Sequence, residues 1–215
     1  MVRYAHRRRL QVAANLIAAE DPGVVLDWGA CDGYLAGLLI DRMRVINYEP
    51  TTECQSELRR NFPEVATRFE QIADTKVDAV ACLEVMEHMA LRSRLAFYRW
   101  ANRALPRDGL CVLSVPVEIG PAVALKESVR VLRKGRAPEW KLSTLLWASF
   151  GAVHRDPARF DDREAWIQWH NGFDYRALRE ELREHFRIEK ETATPLGGFP
   201  WLFNQTVIFK LRPHQ

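Results

Sequence analysis

Residues Val24 to Gly37, reading Val-Val-Leu-Asp-Trp-Gly-Ala-Cys-Asp-Gly-Tyr-Leu-Ala-Gly, constrain the fold more than any other stretch of the chain. The run Val24-Val25-Leu26 has the character of a strand buried on both faces, and it ends in Asp27. Gly29 and Gly33 follow, and an apolar helical pattern opens at Tyr34 with Leu35, Leu38 and Leu39. A strand, a tight glycine turn and a helix N-terminus in that order build a ligand crevice at the carboxyl end of an open sheet. Gly29 can take a backbone shape that a Cβ would forbid, and it lets a ligand approach the main chain. Asp27 places a carboxylate at the strand tip, where it suits a cationic group.

The segment Asp27-Trp28-Gly29-Ala30-Cys31-Asp32-Gly33 resembles the first motif of the class I S-adenosylmethionine-dependent methyltransferases, Asp/Glu-x-Gly-x-Gly-x-Gly. Cys31 stands where the middle glycine is usual. A second segment strengthens the resemblance. The strand-like run Val77 to Leu83 leads into Glu84-Val85-Met86-Glu87-His88-Met89, which is similar to the Asp-x-Val…Glu-Val-x-Glu-His segment of small-molecule O-methyltransferases related to the ubiquinone-biosynthesis enzymes. The two segments occur in the family's order and at its separation.

The resemblance implies an α/β, Rossmann-like fold. It has a seven-stranded, mostly parallel sheet of order 3-2-1-4-5-7-6, an antiparallel last strand and helices on both faces. It also implies S-adenosylmethionine as cofactor, with contacts from Asp27, Gly29, Ala30, Asp32, Gly33, Leu83 and Glu84. Gln71 and Ile72, in the loop after a short strand near Val65 to Phe69, match the family's loop beside the adenine ring.

The second strand, Arg44 to Tyr48, ends in Glu49-Pro50. In a doubly wound nucleotide fold an acid about 20 residues beyond the glycine turn holds a ribose through its hydroxyls, and Glu49 has that spacing from Gly29. Glu49 could instead cap the helix from Thr51 to Asn61. If a helix begins by Glu84, then Glu84, Glu87 and His88 share one face through their i, i+3, i+4 spacing. Two carboxylates and an imidazole there could hold a divalent metal, as in small-RNA 2′-O-methyltransferases with a comparable segment; the favoured reading has no metal and takes His88 as a candidate base.

Upstream, Leu10, Ala13, Ala14, Ile17 and Ala18 fall on one helical face, so residues 5 to 20 read as a helix over the sheet or the cofactor site. Arg7-Arg8-Arg9 reads as its solvated end, and Gln11 and Asn15 argue against a signal peptide. A helix from Leu91 to Leu105 and a strand from Leu110 to Val115 complete the alternating part.

Residues 117–169 are longer than a crossover needs and read as a substrate-cap insertion within a single domain, 1–215. They carry helical patterns over Ala122 to Leu132 and Glu139 to Phe150. Trp140, Trp147, Trp166 and Trp169 lie among Lys126, Arg130, Arg133, Lys134, Arg136 and Lys141. These aromatics and cations would suit a sugar, an aromatic ring or an anionic headgroup; packing or an oligomer interface is the competing reading. His170-Asn171-Gly172-Phe173-Asp174 then opens a helix reaching His185 and resembles the tail of methyltransferases of polysaccharide and natural-product pathways, so His170 is a second candidate base. Strands Phe186 to Glu189 and Thr206 to Phe209 close the chain around a Pro195–Trp201 loop.

The net charge of +3 is too mild to demand an anionic partner, and nucleic acid is not expected. Cys31, Cys54, Cys82 and Cys111 are far apart in sequence, which favours free thiols in a reducing, cytoplasmic setting over disulfides or zinc. No apolar run reaches the length of a membrane span. The leading expectation is O-methylation of a small molecule or glycan. Its alternatives are a metal-assisted RNA 2′-O-methyltransferase and a non-catalytic cofactor-binding scaffold. The oligomeric state is open, a homodimer included.

Overall fold

Successive residues of a strand face opposite sides of its sheet. The alternation in this chain therefore divides its core in two. Val25, Val45, Ala79, Ala81, Leu110 and Val112 are buried on one face, and Leu26, Ile46, Val80, Cys82, Cys111 and Leu113 on the other. The computed structural model that shows this describes residues 2–134, 142–152, 166–170, 172–200 and 204–214.

The strands are β1 (Val24–Trp28), β2 (Arg44–Tyr48), β3 (Val65–Ala66), β4 (Ala79–Leu83), β5 (Leu110–Pro116), β6 (Phe186–Thr194) and β7 (Thr206–Pro213). They form one sheet in the order β3-β2-β1-β4-β5-β7-β6. β1 to β5 are parallel, and β7 runs antiparallel to both β5 and β6. The expected fold class, strand order and antiparallel last strand are thus found. β3 is a two-residue bridge rather than the longer strand expected to Phe69.

Helices α1 (Val2–Ala18) and α2 (Tyr34–Leu39) cover the first face. α1 buries Leu10, Ala13, Ala14 and Ile17, the stripe expected from i, i+3, i+4, i+7 spacing. The turn after it is tied to β7, where Arg212 Nη2 donates to Glu20 Oε2 at 2.6 Å. Helices α4 (Leu91–Ala104) and α7 (Tyr175–His185) cover the second face. Arg94 of α4 clamps them together with a bidentate pair to Glu181 at 2.8 and 2.9 Å, and the Tyr98 hydroxyl donates to the same carboxylate at 2.8 Å.

α3 (Thr52–Asn61) follows β2, while α5 (Pro121–Lys134) and α6 (Leu142–Ser149) lie between β5 and α7. Trp140, Arg136, Lys141 and Trp201 lie outside the described residues, as do the side chains of Lys126, Arg130, Arg133 and Lys134. Among the described residues no helix is long and apolar enough to cross a membrane.

One local expectation fails. No helix begins at Glu84; the chain makes a single 3-10 turn over Met86–His88 instead. Glu84 has φ +57°, and its N–H donates to the Ser114 carbonyl at 2.9 Å. A residue at positive φ is outside the right-handed helical region, so Glu84 does not start a helix and leaves the face expected to hold it with Glu87 and His88.

Candidate functional site

A cavity of about 630 Å³ opens at the carboxyl ends of β1, β2 and β4, under the N-terminal part of α1. Its floor is the turn after β1. Gly29, at φ +79°, donates its N–H to the Tyr48 carbonyl at 2.8 Å. A Cβ at Gly29 would meet Val85 Cγ2 at 2.6 Å, and one at Gly33 would meet Phe62 Cε2 at 2.2 Å. Both glycines are therefore required by contact as well as by conformation. Cys31 completes the turn at φ +47°, a left-handed shape that costs a residue with a Cβ about 1 kcal/mol. Asp32 accepts the Tyr34 N–H at 3.1 Å, just before α2, whose N-cap is Gly33.

Two buried carboxylates stand on neighbouring strand tips. Glu49 is 4% exposed and holds the turn, accepting from Cys31 N and Thr51 N at 2.8 Å each. Asp27 is 3% exposed, and its carboxyl is pushed up to about 7, first by burial and then by Glu49 and Asp32. No cation among the described residues offsets that shift. An acid in this state favours a proton or an incoming positive group.

Arg9 and Glu84 form the wall opposite. Arg9 Nη1 lies 3.1 Å from Glu84 Oε2, and the Ser114 hydroxyl reaches Glu84 Oε1 at 3.4 Å. Arg9 is thus not part of a solvated basic end, although Arg7 and Arg8 are exposed as expected. Helical spacing from Arg9 to the buried Ala13 was the available signal for this.

Leu83 and Ala30 line the cavity. Gln71 and Ile72 do not. The Gln71 side chain turns back to accept from Thr67 N and Arg68 N at 2.7 and 3.0 Å, and Ile72 is buried behind the wall, where its carbonyl accepts from Trp100 Nε1. Phe69 lines the cavity in their place, beside Trp28 at a ring separation of 6.1 Å.

At the outer end, residues 166–170 cross the 3-10 turn. Ile167 N donates to the His88 carbonyl at 2.7 Å, and Trp166 stacks on the His88 ring at 4.8 Å. His88 Nδ1 is 2.6 Å from the Ile167 carbonyl oxygen. A carbonyl only accepts, so Nδ1 carries the proton and the Nε2 lone pair points elsewhere. It meets His170 Nε2 at 3.2 Å. His170 Nδ1 in turn lies 3.8 Å from Glu118 Oε1.

The two imidazoles expected as candidate bases are therefore brought together, 82 residues apart in sequence. With the fully buried Glu87 they offer three ligand atoms within 4.8 Å of one another. Glu84, expected in that cluster, is engaged with Arg9 and Ser114 instead.

Cys31 and Cys54, far apart in sequence, have their sulfurs 3.3 Å apart beside the cavity; Cys82 and Cys111 are buried free thiols. A second, shallower depression of about 520 Å³ runs along β6 and includes none of the motif residues.

Solved structures share this architecture at low sequence identity. A protein from Pyrococcus horikoshii, PH0226, superposes with a TM-score of 0.64 at 14% identity, covering 97% of this chain and 91% of that one. The N-methyltransferase NodS from Bradyrhizobium japonicum gives 0.61 at 10% identity, covering 98% and 97%. The magnesium protoporphyrin IX methyltransferase ChlM from Synechocystis, solved with S-adenosylhomocysteine bound, gives 0.59 at 18% identity, covering 99% and 84%. No family model and no curated protein matches the sequence. The chain is thus similar to these methyltransferases in fold.

Proposed function

We propose that this protein is an S-adenosylmethionine-dependent methyltransferase acting on a hydroxyl of a small molecule or glycan. The observation that carries this reading is the pair of buried acids on adjacent strand tips facing one cavity. Asp27, poised near pH 7 with no cation beside it among the described residues, fits an ammonium group. Glu49 keeps lone pairs free after accepting two backbone N–H groups, as ribose hydroxyls require. The glycine turn, with Ala30, Asp32, Leu83, Glu84 and Phe69, supplies the remaining walls.

The cofactor would supply a methyl group already activated on a sulfonium. The chain's own part is to align an acceptor, exclude water and remove a proton. His88 is suited to proton removal. Its Nδ1–H is held by the Ile167 carbonyl, so a proton taken from an acceptor would go to Nε2, in exchange for the contact that Nε2 makes with His170 Nε2 at 3.2 Å. We read residues 117–169 as the cap over the acceptor. Trp166, stacked on His88 and half exposed, is suited to a sugar or aromatic ring.

Calorimetry with S-adenosylhomocysteine, followed by transfer of labelled methyl to candidate acceptors, tests the proposal. Wild-type affinity in both Asp27→Ala and Glu49→Ala would refute the cofactor site.

A second reading has a specific observation behind it. The Glu87, His88 and His170 atoms suit a divalent metal, which favours metal-assisted transfer to an RNA 2′-hydroxyl. Metal analysis of the purified protein separates the two. Stoichiometric metal, with binding and turnover lost to a chelator, favours the second; turnover indifferent to chelation favours the first.

A further inference from the structure

We propose that Cys31 and Cys54 form a reversible thiol-modification site. A low-molecular-weight disulfide closes them into an intramolecular disulfide, and that bond weakens the ligand affinity of the cavity. The second half of the inference rests on the cofactor reading above; the first half does not.

The two thiols are 23 residues apart in sequence, yet their sulfurs lie 3.3 Å from each other. A disulfide bond is about 2 Å long, so one small approach joins them. Cys31 is exposed and Cys54 half-buried, which opens the pair to a reagent, whereas Cys82 and Cys111 are buried. The Cys31 thiol is pushed up to about 12, first by burial of its sulfur and then by the bond to Cys54. Exchange therefore runs through a minor thiolate, and its equilibrium rather than its rate is the quantity to read.

The exchange balances in two steps. One cysteine thiolate attacks the reagent and breaks its S–S bond; the thiolate released takes up the proton that the cysteine lost. The other cysteine then attacks the mixed disulfide, forms the Cys31–Cys54 bond and releases the second small thiol. The protein loses two electrons and two protons, and the reagent gains them.

The effect on the cavity follows from what the two cysteines flank. Cys31 N–H and Thr51 N–H each donate to the Glu49 carboxylate at 2.8 Å. Gln55, next to Cys54, donates to the Glu49 and Pro50 carbonyls at 3.0 and 3.2 Å. Glu49 is thus gripped by the same two segments that the new bond joins, and both cysteines line the cavity. Drawing the turn after β1 toward α3 shifts the donors that fix Glu49, the acid assigned to the ribose. A ligand fitted to the reduced arrangement loses part of that contact. The competing reading is that the two sulfurs only pack, sharing one S–H between them.

The experiment equilibrates the full chain with reduced and oxidised glutathione over a range of ratios. Peptide mass spectrometry maps the disulfides, and calorimetry measures S-adenosylhomocysteine affinity at each end point. We expect a Cys31–Cys54 link, an affinity about 10- to 100-fold weaker in the oxidised protein, the size of one hydrogen bond to a charged group, and recovery with dithiothreitol. By linkage, saturating S-adenosylhomocysteine should lower the equilibrium constant for oxidation by the same factor. In Cys31→Ser/Cys54→Ser, oxidised and reduced samples should bind alike. The linkage measurement needs wild type alone, so it decides the matter should the double variant fail to fold. Three results would overturn the proposal and leave the cofactor site standing: no Cys31–Cys54 link at any glutathione ratio, a link with affinity unchanged or tighter, or an oxidative loss that persists in the double variant. If reduced wild type binds no S-adenosylhomocysteine, the cofactor reading itself fails, and the control of affinity with it.

Discussion

The raised carboxyl of Asp27 makes cofactor affinity depend on pH in a defined direction. Asp27 titrates at about 7, against 3.8 for an ordinary aspartate, and burial is the first cause. A cationic group brought beside it stabilises the ionised form and lowers that value again. Binding therefore favours the deprotonated protein. If the ligand binds that form alone, its apparent affinity is scaled by the ionised fraction, which is about one-tenth at pH 6 and about nine-tenths at pH 8. S-Adenosylhomocysteine should then bind about tenfold more weakly at pH 6 than at pH 8, and release about half a proton on binding at pH 7. Calorimetry in buffers of different ionisation enthalpy reads both quantities.

His6, held below its ordinary value by burial and by Arg9, could add repulsion only in the acid range, so Asp27→Asn is the control: it should bind weakly and without the slope. The sign for stability is the opposite. A carboxyl raised in the folded state binds a proton there more tightly than in the unfolded chain, so ionised Asp27 destabilises the ligand-free protein as pH rises through 7. Asp27→Asn should unfold later than wild type at pH 8, by at most about 4 kcal/mol, and show no such gain near pH 4. A flat affinity from pH 5.5 to 8.5, or a slope that survives in Asp27→Asn, would refute the reasoning.

Glu49→Gln should weaken S-adenosylhomocysteine and 5′-methylthioadenosine alike, by about 10- to 100-fold, because both keep the ribose; calorimetry measures both. Cys31→Gly should raise stability by about 1 kcal/mol by removing a Cβ from a left-handed backbone, read from chemical denaturation. His88→Ala should lower turnover by about 10²- to 10⁴-fold if its imidazole is the base, with cofactor affinity unchanged; single-turnover methyl transfer measures it, and His170→Ala should fall less, since its ring only contacts the base.

What was legible in the sequence was what local pattern dictates. The alternation of Val25 and Leu26, or of Val80 and Ala81, is visible as apolar runs and splits the core as strands must. Asp27 and Glu49 stand at strand ends, and strand ends of a parallel sheet converge, so their juxtaposition follows from topology. The rest depended on contacts that no local pattern carries. The spacing of Glu84 to Glu87 and His88 is helical, but its backbone is left-handed at φ +57°, outside the helical region. Gln71 was placed against the adenine, but it is a short-range cap for Thr67 and Arg68, and Phe69 has the cavity. Cys31 and Cys54 meet because the turn after β1 and the start of α3 lie side by side. His88 and His170 meet because residues 166–170 cross the 3-10 turn. Arg9 looked like one third of a basic triplet, though its neighbours point to solvent and it does not.

The unfavourable features of the molecule are not spread evenly. Among the described residues three other than glycine have positive φ, Asp21, Cys31 and Glu84, and two of these line the cavity. Asp27, a buried acid with no cation beside it among the described residues, is in the same place, and so is Arg9 Nε, which has no hydrogen-bond partner among them. Elsewhere Arg94 is gripped by Glu181 and the Met89 carbonyl, and Arg212 by Glu20 and Glu189, although Asn47 Oδ1 and Arg179 Nε are also buried without a hydrogen-bond partner among the described residues. A chain selected for stability alone would place glycine at 31 and 84 and an apolar residue at 27. Each departure instead orients something toward the cavity: Cys31 donates its N–H to Glu49, Glu84 reaches Arg9, and Asp27 presents a carboxylate. Strain and uncompensated charge persist where a ligand relieves them. Their concentration around one hollow, at the carboxyl ends of three strands, is a physical argument for a bound cofactor that owes nothing to resemblance.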